Sequence, residues 1–357
     1  MKKRMVKTAV VLGMALLVAG CGAQKGAAGG NTGTGAESKA GETKTEADKT
    51  AGGETAAAAN EGQSDTSWPE KPVTFVVAAS AGGDTDITAR LAAKYLEKEL
   101  GQTIVIQNIG DSSGTVASKT VKDSEPDGYT FLCYHPGILL NTIFGLTSYS
   151  YEDFEIAGPI AKDYGTCWAV SADAPYDDVK GLVEYSKDHD VTFATGIGAH
   201  SHATVLGMQA LAPDLNVTIV DSGSAAEKVA AVLGGQLDVL FGQYGATKDY
   251  VTNGDFKVLG IFAEERNEMF PDVPTFKEQG YDLNFEKYYF LAAPKGTEEA
   301  IMSKMETALK NLSENAEYAK ELETSLLSNP FYQERSAFTR FLGEETAFYT
   351  DLAASYE

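Results

Sequence analysis

Residues 22–67 contain no Leu, Ile, Val or aromatic side chain, and Gly, Ala, Thr, Glu and Lys dominate them. Such a stretch cannot bury enough apolar surface to offset its ordering entropy, so no fold can begin inside it. As a Gly-rich coil its residues would span about 40 Å root-mean-square, a tether and not a domain. The folded part is therefore expected to start near Trp68. From there to Glu357 the chain is longer than one hydrophobic core usually serves, which predicts two lobes.

The segment before the tether reads as an export signal. Lys2, Lys3, Arg4 and Lys7 precede an apolar run, Ala9 to Val18, too short to span a bilayer. Leu17-Val18-Ala19-Gly20-Cys21 then places small residues directly before a cysteine and resembles a bacterial lipobox. The expectation is a signal peptide over 1–20, lipidation of Cys21, and a linker over 21–67. Removing residues 1–20 takes away four basic residues and no acid, so the formal charge of −22 becomes −26. A chain this acidic does not suit nucleic acid or an anionic bilayer as a partner, and an anionic ligand would need local donors. Besides Cys21 only Cys133 and Cys167 remain, each in an apolar run; free thiols and a disulfide both stay open.

Past Trp68, short β-branched or aromatic runs alternate with helical periodicity. Strands are expected at Val73–Val77, Ile104–Ile106 and Tyr129–Cys133, and again at Cys167–Ser171, Val191–Thr195, Val217–Val220 and Leu237–Phe241. Ile87, Leu91 and Tyr95 form one i,i+4 row and Ala92, Leu96 and Leu100 the next, a single apolar helix face closed by Gly101. Helices are further expected from Asp177, His200 and Ser224. After a strand at Phe290–Ala293 the pattern turns helical over Thr297–Leu312, Ala316–Leu327 and from Arg335, expected to pack on the first lobe. The fold class is α/β: each lobe a mostly parallel sheet flanked by helices, with a ligand cleft between. The lobes are expected at 68–165 with 294–357, and at 166–293, with chain crossings near Tyr164–Cys167 and Tyr288–Ala292.

Two strand-to-helix turns carry the functional signal. Ser80-Ala81-Gly82-Gly83-Asp84-Thr85-Asp86 leaves the first strand through a glycine pair, with Asp84 or Thr85 suited to the N-cap. Thr195-Gly196-Ile197-Gly198-Ala199-His200-Ser201-His202 repeats this build in the second lobe. Helix N-termini at the carboxyl ends of strands gather anions, so two facing turns form a clamp of N–H groups and hydroxyls. Other readings compete. Asp84 and Asp86 could hold a metal for a hydrolase or transferase, but no third ligand stands at useful spacing. His200 and His202 diverge at i,i+2 on a helix, and Gly110-Asp111-Ser112-Ser113-Gly114 only faintly resembles a serine nucleophile loop. No catalytic residue, metal or cofactor is expected.

Six landmarks in order make the chain from Trp68 onward resemble the solute-binding proteins of tripartite tricarboxylate transporters, the Bug family. They are Trp68-Pro69-Glu70-Lys71-Pro72-Val73, Ala81-Gly82-Gly83-Asp84-Thr85-Asp86, Glu125-Pro126-Asp127-Gly128-Tyr129-Thr130, Gly196-Ile197-Gly198, Gly234-Gly235-Gln236-Leu237-Asp238-Val239 and Pro271-Asp272-Val273-Pro274-Thr275 with Glu278-Gln279-Gly280-Tyr281. The resemblance implies a two-lobed periplasmic-binding-protein fold, type II-like. Its implied partners are a small carboxylate held in the cleft and the membrane permease that receives it; a sensor kinase is the alternative recipient. Tyr134, Ser222, Gly223, Ser224, Gln243 and Tyr244 complete the expected ligand-binding set, and a monomer is expected. The chain departs from the family pattern at Ala78-Ala79, at Asn108-Ile109-Gly110-Asp111-Ser112-Ser113-Gly114 and at Val220-Asp221-Ser222-Gly223. A tyrosine and basic groups are lost there and Asp221 adds an acid, so the ligand's identity does not carry over.

Overall fold

A computed structural model describes residues 67–110, 113–196, 198–221 and 225–354. The expected signal peptide, the lipidated Cys21, the linker up to residue 66, and Ser222, Gly223 and Ser224 lie outside the described residues. The first lobe opens with β1 (Val73–Val77), α1 (Asp84–Leu100), β2 (Ile104–Asn108), α2 (Thr115–Lys122), β3 (Thr130–Tyr134), α3 (Gly137–Ile143) and β4 (Phe154–Asp163). The chain then crosses into β5 (Thr166–Ser171), α4 (Val179–Ser186), β6 (Val191–Ala194), α5 (His200–Leu211), β7 (Val217–Val220), α6 (Ala225–Leu233), β8 (Val239–Gln243), α7 (Tyr244–Asn253) and β9 (Phe256–Ile261). It returns through β10 (Lys287–Pro294), α8 (Glu299–Ser313), α9 (Ala316–Leu326), β11 (Asn329–Pro330) and α10 (Arg335–Ala354).

The strands form a six-stranded sheet, β11-β4-β10-β3-β1-β2, and a five-stranded sheet, β7-β6-β8-β5-β9. Both are mixed. The βαβ half of each is parallel, as the alternation of strand and helix requires; β10 and β11 in one sheet, and β5 with its two neighbours in the other, run antiparallel. β10 lies inside the six-stranded sheet, so the return crossing comes before Lys287 and not at Tyr288–Ala292, and the second lobe ends near Glu286. All eight residues of β10 are buried, because neighbours flank it on both sides and helices cover both faces.

Alternation decides which residues go where. In β1, Val73, Phe75 and Val77 face a core shared with α1, α8 and α9, while Val76 joins Leu132 and Tyr134 on the other face. Each buried side chain of this size contributes about 1.5–3 kcal/mol. The second face continues without a break into the other lobe, where Trp168 sits edge-on to Phe193 at 4.6 Å, Phe276 at 5.1 Å and Phe262 at 5.5 Å. Its indole N–H is satisfied by Thr204 Oγ1 at 3.1 Å.

Helices α8 and α9 pack on the first lobe, as the sequence led one to expect, but α10 does not stop there. It rests on α3 and β4 of the first lobe and on α5 of the second. Phe338 and Leu342 are buried at one end, and Tyr349 at the other stacks on Phe285 at 6.2 Å. Cys133 and Cys167 belong to different sheets and are free, buried thiols whose pKa burial pushes up to about 12, so neither is a reactive nucleophile near neutral pH. No helix among the described residues is long and apolar enough to cross a membrane.

Candidate functional site

The first turn is tied down by its own acid. Asp86 is only 2 % exposed; its carboxylate accepts from Gly82 N at 2.8 Å, Arg90 Nε at 2.9 Å and Asn108 Nδ2 at 2.8 Å. Burial works to raise its pKa, but these donors hold it below the ordinary carboxylate value. Asp86 is thus a positioning group for the turn. The N-cap is Gly83, not Asp84 or Thr85, because the Asp84 side chain is committed elsewhere. Its Oδ2 accepts from Lys287 Nζ at 2.5 Å and from Tyr289 OH at 2.6 Å. Burial alone would raise the Asp84 carboxyl; the adjacent ammonium and phenol reverse that and hold it far below the usual range.

The second turn is built the same way. Gly198 takes φ +78, and its N–H donates to His202 Nδ1 at 3.2 Å. A Cβ there would stand 2.4 Å from Leu146 Cδ1, across the divide between the sheets, and the Phe144 ring lies 4.8 Å from that of His202. Thr195 and Ser201 hydroxyls bond each other, and Thr195 Oγ1 also donates to Gly196 O at 3.3 Å, so both hydroxyls are engaged within the turn.

Between the turns lies a cavity of about 200 Å³. The first lobe presents Ala78, Asp84, Ser113, Gly114, Tyr134, His135 and Lys287 to it; the second presents Ala199, His200, Ser201, Lys228, Gln243 and an apolar wall of Val229, Leu240, Phe241 and Ala246. Of the residues expected at the site, Asp84, Ala199, His200, Ser201, Tyr134 and Gln243 line it. Ser80, Ala81, Gly82, Gly83, Thr85 and Asp86 frame the first turn without lining the cavity, as Thr195, Gly196, Gly198 and His202 do for the second. Tyr244 turns away and stacks on Phe270 at 4.5 Å.

Sequence reading missed the two lysines, because it placed no basic group in the cleft. Lys287 follows Phe285-Glu286 on a buried strand and Lys228 sits on an alanine-rich helix face; nothing local separates either from a solvated lysine. Three lining groups are buried polar atoms awaiting partners. Both ring nitrogens of His200 and Nε2 of Gln243 make no hydrogen bond among the described residues, although these residues are 2 % and 6 % exposed. Burial, helped by the Lys287 charge, drives the His200 pKa down to about 3, so its imidazole is neutral and offers one donor and one acceptor. His135 is likewise pushed well down, and its Nδ1 accepts from Gly137 N at 3.1 Å. Lys228 makes no ion pair or hydrogen bond among the described residues; burial lowers its pKa and Asp221 works against that. Unpartnered donors of this kind converging on one cavity mark a site for an acceptor-rich ligand.

A family model described as "Tripartite tricarboxylate transporter family receptor" matches residues 88–353. This chain belongs to that family. Among its relatives, a protein of Agrobacterium vitis from the TAR-I ttuE-ttuC' intergenic region is 31 % identical over 254 residues, 70 % of this chain and 73 % of that one. BugT of Bordetella pertussis is 26 % identical over 242 residues, 66 % of this chain and 74 % of its own. Among solved structures, the periplasmic binding protein BugD superposes with a TM-score of 0.73 at 27 % identity, over 80 % of this chain and 97 % of its own. MatC of Rhodopseudomonas palustris, solved with bound malate, gives 0.73 at 26 % identity over 80 % of this chain and 100 % of its own. As a family receptor, the chain is an extracytoplasmic solute-binding protein with the two-lobed fold of periplasmic binding proteins.

Asp163 supplies a pH test of this region. It ends β4, accepts from Gly165 N at 2.5 Å, and pairs in register with Lys287. Burial, with Asp84 nearby, raises its pKa from 3.8 to about 7. A raised folded-state value means that the stability linked to it is complete below the unfolded value and is lost as pH rises through about 7. Asp163→Asn should therefore raise the melting temperature more at pH 8 than at pH 5. An equal shift at both pH values would show that the carboxyl titrates normally.

Proposed function

We propose that this chain is a lipid-anchored receptor that captures a small organic carboxylate in the cleft between its sheets and delivers it to the membrane permease of a tripartite tricarboxylate transporter. The observation that carries this reading is the cavity's donor set: a Lys228 without an ion pair and a neutral His200 without a hydrogen-bond partner among the described residues, with the Gln243 amide, on a chain whose formal charge is −22. The malate bound to MatC, a relative by fold and sequence, supports the same ligand class. The lipobox-like Leu17-Val18-Ala19-Gly20-Cys21 and the core-free linker support the anchor. Catalysis by the two acids finds no support. The Asp84 carboxylate is engaged by Lys287 and that of Asp86 by Arg90 and Asn108, and no group of three possible metal ligands occurs among the described residues.

A thermal-shift screen of mono-, di- and tricarboxylates, amino acids and sugars tests the ligand class. Binding to the folded state alone adds about 2.7 kcal/mol at a hundredfold excess over Kd, enough to move the midpoint by several degrees. A shift with a neutral sugar and none with any acid would overturn the reading. For the anchor, Cys21→Ala should release the protein from the membrane fraction or leave the signal uncleaved, with ligand affinity unchanged. A native protein found soluble and without lipid would refute it.

A further inference from the structure

The charges around the cavity narrow the ligand class, on the basis of the carboxylate reading above. Lys287 is already answered: Asp84 holds its ammonium at 2.5 Å, and the Asp163 carboxyl stands opposite it in the strand register. A further carboxylate at that end would face two acids around one lysine. Lys228, at the other side, makes no ion pair among the described residues; the acid that acts on it, Asp221, stands outside the cavity lining. The histidines His135 and His200 are neutral. The residues in contact with the cavity thus carry Lys228 and Lys287 against Asp84, one positive charge in excess; Asp221 acts on Lys228 from outside the lining and makes no ion pair with it, so one ligand carboxylate in the cavity completes the pairing. Beside Lys228 the wall is apolar, formed by Val229, Leu240, Phe241 and Ala246, with the Phe241 ring 5.8 Å from that of His200. A second carboxylate against this wall would lose its hydration with no second free cation among the described lining residues to replace it, since the unpartnered Gln243 Nε2 is a neutral donor. The volume of about 200 Å³ lies below the roughly 300–1,000 Å³ typical of drug-sized ligand pockets, so the ligand is small.

We propose that the cleft selects a small monocarboxylate with an apolar body, its carboxylate held by the Lys228 ammonium and the His200 imidazole N–H and its body against Val229, Leu240, Phe241 and Ala246. Calorimetry on the folded chain with acetate, butyrate, hexanoate, benzoate, malate and citrate orders ligands by charge. A monocarboxylate should bind at least tenfold tighter than malate or citrate. Malate or citrate binding tightest would overturn the selectivity and leave the carboxylate reading standing; no binding by any of the six acids would overturn both. Lys228→Met should weaken the best monocarboxylate about 10- to 150-fold, the equivalent of one hydrogen bond to a charged group, while Lys228→Arg keeps most of the affinity. Lys228 is partly exposed, so its replacement leaves the fold intact, which an unchanged ligand-free melt verifies. Wild-type affinity in Lys228→Met would sink the proposal.

Discussion

Lys287→Met is expected to cost about 3–5 kcal/mol of folding stability, because it strands the Asp84 carboxylate in a buried setting without its counter-ion. The pair is 2.5 Å apart, with the Lys287 side chain 7 % and the Asp84 side chain 18 % exposed. Among the described residues Tyr289 OH would remain as a donor to Asp84, at 2.6 Å, and a neutral phenol does not replace an ammonium. The variant should also change the pH profile. In the native protein the Asp84 pKa is depressed, so its contribution is present above the unfolded value of 3.8 and lost as pH falls through the lower folded value. Without Lys287 burial dominates, the folded value rises above 3.8, and the same carboxyl then loses stability as pH increases. Urea unfolding of Lys287→Met at pH 5 and pH 8 should show the greater loss at pH 8. The pair Asp84→Asn with Lys287→Met should recover most of it, since no unpaired charge is left. A double variant no more stable than Lys287→Met would mean that the lysine acts through packing.

The strands that sequence reading placed are those with unbroken β-branched or aromatic runs, and β1, β5, β6 and β7 stand within a residue of expectation. β4 was not legible because Gly158-Pro159 interrupts it: proline donates no hydrogen bond and usually marks a turn. Here the register against β10 shifts on both sides of the Phe290–Pro159 pair, so the irregularity absorbs the proline. α7 was hidden for another reason. Tyr244-Gly245-Ala246-Thr247 carries no apolar period and a poor helix former, and tertiary contact, not propensity, makes it helical. The two turns of the cleft were legible as glycine-bearing strand ends, which need only local chemistry. The lysines were not, because what sets them apart is the company that remote strands and helices bring: Asp84 and Lys287 are separated by 203 positions. Expecting a clamp of N–H groups and hydroxyls, without a lysine, follows from seeing the turns and not what faces them.

Gly245→Ala should destabilise the protein by about 1–3 kcal/mol, although an alanine at a helix position is by itself favoured by about 1 kcal/mol over glycine. The two effects have opposite sign, and the contact decides between them. A Cβ on Gly245 would stand 2.0 Å from the carbonyl oxygen of Leu326 and 2.4 Å from its carbon, and both are backbone atoms. Leu326 cannot easily retreat. It ends α9, the next residue Leu327 is held in the left-handed region at φ 51, and Leu327 N bonds back to Glu323 O at 3.0 Å. α7 belongs with the five-stranded sheet and α9 with the six-stranded one, while Tyr244 N bonds to Gly165 O at 2.8 Å, beside the chain crossing from β4 to β5. The methyl group therefore has one way to fit, which is to push the two helices apart at the crossing. Ala246 and Thr247, the next residues of α7, line the cavity, so the same displacement should widen the cleft and weaken ligand binding. Urea unfolding and small-angle scattering on Gly245→Ala test both parts: a lower midpoint and a larger radius of gyration than wild type are expected. A variant more stable than wild type with an unchanged scattering profile would show that helix propensity wins and that the close approach of α7 to α9 does not set the spacing of the lobes.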